Sequence, residues 1–195
     1  MVVLASGILA WLAHAGDRPL AAVDLPAGGD AAPPQELRRL ESRLAAAGPR
    51  SAYIVIDTVQ NRLQLLRGDQ VILEAPCSTG TGAVLADPAT GRRWVFDTPR
   101  GVHRVQIKLR DPVWKKPDWA FIEEGKPLPS DPNERFDFEA LGNYGLYFGD
   151  GYLIHGTFYQ RLLGRSVTHG CIRLGDQDLE ALFRAAPIGT PIYIF

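Results

Sequence analysis

Ser166-Val167-Thr168-His169-Gly170-Cys171-Ile172-Arg173-Leu174 decides how this chain is read, together with His155-Gly156 upstream. The two segments bring one thiol and two imidazoles into a short window. A thiol is a strong nucleophile only as the thiolate, and a nearby imidazole is the usual means of forming one near neutral pH. The pattern therefore points to acyl transfer through Cys171, with His155 or His169 handling the proton.

Outward from this stretch the pattern is mainly that of strands. Tyr53-Ile54-Val55-Ile56-Asp57, Leu63-Gln64-Leu65-Leu66 and Val71-Ile72-Leu73 are separated by the turn signals Asn61-Arg62 and Gly68-Asp69, which predicts an antiparallel meander. Ser78-Thr79-Gly80-Thr81-Gly82 reads as a flexible connection, and Thr98-Pro99-Arg100-Gly101 as a turn. Residues 102–109 alternate as one strand. Residues 110–143, with five prolines, Trp114 and Trp119, read as a long lid-like loop. Residues 144–148 and 152–154 predict two more strands. Asp176 is the expected N-cap of a helix carrying Leu179, Leu182 and Phe183, and residues 190–195 form a closing strand. The expected class is mostly β with two or three helices, without βαβ alternation or a dinucleotide fingerprint.

A net charge of -1 over 195 residues gives no field that would favour nucleic acid or an anionic membrane, and 46% hydrophobic residues suffice for a core. Residues 1–11 are almost wholly apolar, and Ala13-His14-Ala15 has the form of a signal-peptidase site. The run is too short to span a bilayer, which takes about 20 residues, so export to the periplasm or cell envelope is expected, although no Lys or Arg precedes Arg18. Residues 16–50 read as a linker with a short helix over 35–47, and residues 51–195 as the catalytic domain. Cys77 and Cys171 allow one disulfide. The histidine-flanked setting of Cys171 disfavours it, and Cys77 reads as a buried, inert thiol.

The motif resembles the L,D-transpeptidase catalytic domain of bacterial cell-wall enzymes. That family carries a His-Gly or His-Ser pair, a gap, then Ser/Thr-His-Gly-Cys, an apolar residue and Asn or Arg. Here these stand as His155-Gly156 and Thr168-His169-Gly170-Cys171-Ile172-Arg173. Ser78-Thr79-Gly80, Thr98-Pro99-Arg100-Gly101, the Pro/Trp-rich segment, Leu141-Gly142 and Gly189-Thr190-Pro191 follow in the family's order. The resemblance implies a β-sandwich or open barrel with a few short helices. It implies peptidoglycan stem peptides as donor and acceptor, release of D-alanine, acylation by carbapenem-type inhibitors, no cofactor and a monomer. It also implies Cys171 as nucleophile, His155 as base, and the Gly156 carbonyl as the acceptor that orients His155.

Backbone N–H groups of His169, Gly170 and Cys171 are the natural oxyanion donors. Arg173 suits a substrate carboxylate, and Thr168, Tyr144 and Trp114 are further substrate-binding candidates. Other readings stand beside these. Cys171 and His155 can be core residues, His169 can merely hold its loop, and Arg173 can be a surface ion-pair partner. Zinc on His155, His169 and Cys171 fits poorly, because the spacing is uncommon and no carboxylate completes the set. On the same fold, a peptidase using water as acceptor or a non-catalytic wall-binding module would be the rival functions.

Overall fold

Alternation along the β-branched runs builds the first sheet. Ile54 and Ile56, Leu63 and Leu65, and Ile192 and Ile194 are buried, while the residues between them point to the other face. These runs are β1 (Ala52–Asp57), β2 (Arg62–Arg67) and β3 (Gln70–Pro76), which form the expected meander. The computed structural model describes residues 51–195 and, before them, Gln35, Arg38 and Arg39. The chain divides into two units, Met1–Ala47 and Gly48–Phe195. In the first, Gln35, Arg38 and Arg39 are helical. The rest of the expected helix, the export segment and the linker fall outside the described residues.

The chain continues through β4 (Thr79–Gly80), β5 (Val84–Ala86), β6 (Arg93–Val95), β7 (Gly101–Arg104), β8 (Ile107–Arg110) and β9 (Trp114–Lys115). Helix α1 (Asp118–Glu123) and β10 (Phe136–Asp137) follow within the proline-rich segment. Then come β11 (Tyr144–Gly149), β12 (Tyr152–His155), β13 (Ser166–Thr168), β14 (Ile172–Arg173), α2 (Asp176–Ala185) and β15 (Pro191–Ile194). One sheet has the order β3-β2-β1-β15-β7, with β1 and β15 parallel. The other has the order β14-β12-β11-β8, with β12 and β14 parallel. Leu146, Phe148, Ile154 and Ile172 of the second sheet share one core with Ile54, Ile56, Leu63 and Leu65 of the first and with Leu179, Leu182 and Phe183 of α2. Each such side chain contributes about 1.5–3 kcal/mol by leaving water. The result is a mostly β sandwich, neither sheet of which closes on itself.

Three expectations change. Residues 102–109 are two strands, because the chain leaves one sheet after Arg104 and joins the other at Ile107. Between them Val105 is buried, and its N–H donates to the Thr190 carbonyl. The lid-like segment is structured, containing α1 and the β9–β10 pair. Arg135–Asp118 (2.9 Å) and Lys116–Asp137 (3.4 Å) ion pairs brace it. Gly175, not Asp176, caps α2. Asp176 and Asp178 lie in its first turn, where carboxylates favour the helix dipole.

Candidate active site

Parallel pairing of β12 with β14 assembles the candidate residues. Ile154 lies opposite Ile172 and His155 opposite Arg173. Both isoleucines are fully buried in the shared core, so His155 and Arg173 lie together on the other face. Cys171 directly precedes β14. The Leu174 N–H donates to the His155 carbonyl at 2.9 Å and extends the register.

The turn between β13 and β14 is held from several sides. Thr168 Oγ1 donates to the Cys171 carbonyl at 2.6 Å and accepts from the Gly170 N–H at 3.1 Å. The Gly170 carbonyl accepts from Thr98 Oγ1 at 2.9 Å. The supposedly flexible segment at 78–82 is pinned to the motif: β4 pairs with β13, and Ser78 and Arg173 exchange backbone hydrogen bonds of 2.9 Å each. Asn61, read from sequence only as a turn residue, is a buried tie. Its amide donates to Ser166 Oγ (3.0 Å), and its carbonyl oxygen accepts from Thr79 Oγ1 (2.6 Å).

These bonds correct two expectations. Thr168 is buried and its hydroxyl is used within the turn, so it shapes the loop and is not offered to substrate. The Gly170 N–H is likewise engaged, leaving those of His169 and Cys171 as the two amides not used in the turn's own hydrogen bonds.

His155 Nδ1 lies 2.7 Å from the Gly156 carbonyl oxygen. A carbonyl only accepts, so Nδ1 carries the hydrogen and Nε2 is left with a lone pair. Gly156 itself passes against Gly142, where a Cβ would lie 3.3 Å from the Gly142 Cα. Burial first, and the Arg173 cation second, push the His155 pKa down to about 4, against a smaller upward pull from the Gly156 carbonyl. Burial raises the Cys171 pKa, while the Leu153 N–H and Arg173 pull it down. The resting pair is therefore a neutral imidazole and a neutral thiol.

This burial has a consequence for stability. An unfolded histidine protonates near pH 6.5, so the stability tied to neutral His155 is full above that pH and is lost as pH falls towards 4. By pH 4 the loss reaches about 3 kcal/mol. Urea unfolding from pH 7.5 to 4 should show this slope in the wild type and a shallower one in His155→Asn. Equal slopes would mean that His155 is not buried as described.

His169 is not placed as a free base. Its Nε2 lies 2.7 Å from Glu123 Oε2, Trp119 stacks on its ring at 4.3 Å and 25°, and Phe96 meets it edge-on at 4.5 Å. Sequence reading passed over Glu123 and Trp119 as partners, since about fifty residues separate them from the motif. Trp114 lies behind Trp119, with ring centroids 5.9 Å apart, and so is one ring removed from the motif. Tyr144 is not brought to the site. It packs on Phe183 at 4.6 Å, and its hydroxyl lies 3.3 Å from Glu180, because it shares the core-side face of β11 with Leu146. No Asp or Glu forms an ion pair with Arg173 among the described residues. Cys77 is free and fully buried, and burial pushes its thiol up to about 12. No group of three or more His, Cys, Asp or Glu is arranged to hold a metal ion among the described residues.

Comparison with known proteins agrees with this architecture. A model of the L,D-transpeptidase catalytic domain matches residues 51–194. The Escherichia coli K12 protein named Probable L,D-transpeptidase YbiS is 32% identical over 143 residues, covering 71% of this chain and 46% of its own length. The chain thus spans about half the length of this curated relative. Two solved structures share the fold at 22% identity, each over 74% of this chain. One is the LD transpeptidase LdtMt1 in complex with imipenem, with a TM-score of 0.55 and 59% of that chain covered. The other is L,D-transpeptidase 3 from Mycobacterium tuberculosis with a faropenem-derived adduct, with a TM-score of 0.52 and 60% covered. The matched span runs from β1 into β15 and takes in His155, the Thr168–Cys171 turn and α1, and by it the chain belongs to the L,D-transpeptidase catalytic domain family.

Proposed function

We propose that this chain cross-links or remodels peptidoglycan by L,D-transpeptidation through a Cys171 thioester. The observation that carries the reading is His155: buried, with Nδ1 fixed on the Gly156 carbonyl, and set by strand register opposite Arg173, two residues after Cys171 in the chain. A base needs a lone pair at the operating pH and a second group to hold its tautomer, and His155 has both.

In this mechanism the Cys171 sulfur attacks the carbonyl of the L-centre of the diamino acid in a tetrapeptide stem, and its proton passes to His155 Nε2. The amides of His169 and Cys171 receive the negative charge on the carbonyl oxygen. The C–N bond breaks and D-alanine leaves, its amine protonated by His155. The amine of a second stem then attacks the thioester and gives a proton to His155. The C–S bond breaks and the proton returns to sulfur. No cofactor enters either half-reaction.

Arg173, half-buried and without a carboxylate partner among the described residues, is available to a carboxylate of the stem peptide. The imipenem complex and the faropenem adduct of the two structural relatives support acylation of Cys171 by such β-lactams. Export to the cell envelope, where stem peptides are found, belongs to the same proposal and rests on residues 1–15.

The test is incubation of purified protein with tetrapeptide-bearing muropeptides, with products read by mass. Dimers lacking one D-alanine, or amine-exchanged monomers, are expected. Tripeptide monomers alone would make the chain a peptidase, and unchanged substrate would remove the enzymatic reading.

A further inference from the structure

The imidazole of His169 is gripped mainly by the proline-rich segment and not by the sheet that carries it. Helix α1 supplies Trp119, stacked on the ring, and Glu123, whose carboxylate accepts from Nε2 at 2.7 Å. Phe96 closes the third side and also packs on Trp119 at 5.2 Å. The segment is braced by the Arg135–Asp118 and Lys116–Asp137 pairs. The residue it grips lies between Thr168 and Cys171 in the turn whose two uncommitted amides belong to His169 and Cys171.

We propose that Glu123 and Trp119 are positioning residues: through the His169 ring they hold the His169 and Cys171 amides at the oxyanion, so that docking of the proline-rich segment completes the catalytic site. The inference rests on Cys171 being the nucleophile. A backbone donor is useful only when aimed at the place where charge develops, and a small misalignment costs rate without altering the thiol. A partly exposed hydrogen bond such as Glu123–His169 contributes little to stability. Its loss should therefore appear in chemistry before it appears in folding.

Two reactions of the same thiol separate this from a purely structural role. Acylation of Cys171 by imipenem passes through an oxyanion, whereas alkylation by iodoacetamide does not. In Glu123→Ala and Trp119→Ala the second-order rate of imipenem acylation should fall about 10- to 100-fold. Alkylation should stay within about twofold or rise as the segment loosens. Glu123→Gln, which keeps an acceptor for Nε2–H, should recover most of the acylation rate. Wild-type acylation rates in Glu123→Ala and Trp119→Ala would overturn the proposal, as would equal falls in both reactions. Failure of wild-type Cys171 to be acylated would instead overturn the underlying reading of the nucleophile.

Discussion

Cys171→Ala is expected to fold normally and to lose at least about 10⁴-fold in the exchange of terminal D-alanine for another amine. The loss is large because nothing nearby can replace the nucleophile. Thr168 Oγ1 is committed to the Cys171 carbonyl and the Gly170 amide, and Ser166 Oγ, at the start of β13, accepts from the Asn61 amide. The stability cost should be small, about 1 kcal/mol, since Cys171 is only partly buried. Cys77→Ala gives the opposite pattern. That thiol is fully buried with a strongly raised pKa, so its removal leaves a small cavity and lowers the melting temperature while amine exchange continues at the wild-type rate. Amine exchange measured by mass, beside a thermal melt, reads both variants. Activity surviving in Cys171→Ala would remove the thioester route.

The same pair of cysteines shows what a sequence can and cannot disclose. Their different characters were legible because each sits in a local pattern, one after His-Gly and the other at the end of an apolar strand. The meander and the site strand β12 were legible for the same reason, since alternation of side chains is a property of a few consecutive residues, whereas the two-residue β14 was too short to show it. Alternation gives the face of a residue but not its neighbour. Residues 102–109 alternate throughout, yet Gly101–Arg104 pairs with β15 and Ile107–Arg110 with β11. Tyr144 misled in the same way. Its nearness to His155 in sequence does not reveal that the register sets Tyr144 with Leu146 on the core side and Gly145 opposite His155.

Contacts closed by the fold over long separations were the least legible. Asn61 joins β4 and β13 across 18 and 105 residues, and a polar residue after a strand has many turn roles that look alike in sequence. Glu123 meets His169 across 46 residues through a helix of only six. Its sequence, Asp118-Trp-Ala-Phe-Ile-Glu123, sits among prolines that suggest a loop. A tryptophan and an acid four residues apart within a proline-rich segment were the available signal, because that spacing places both on one side of a helix.

Gly170→Ala should be the most damaging single-methyl change in the motif, for two separable reasons. Gly170 has a φ of +115°, a region that costs a residue with a Cβ about 1–3 kcal/mol. The added carbon would also lie 2.7 Å from the Asp97 carbonyl oxygen and 2.7 Å from Tyr152 Cε1. Neither neighbour yields easily. One is backbone, and the other belongs to a ring stacked at 6.1 Å on the buried Phe148. The turn must then move, taking with it the His169 and Cys171 amides on either side. We expect imipenem acylation to fall at least about 100-fold and the melting temperature to drop by several degrees. Gly164→Ala is the control. It too has a positive φ, +82°, but its nearest neighbour, Pro76 Cβ, is 4.0 Å away, so it meets backbone strain without a clash. It should lose about 1 kcal/mol and keep its acylation rate. If Gly170→Ala and Gly164→Ala acylate equally fast, the close packing of Gly170 against Asp97 and Tyr152 does not set the oxyanion donors, and backbone strain alone explains the glycine.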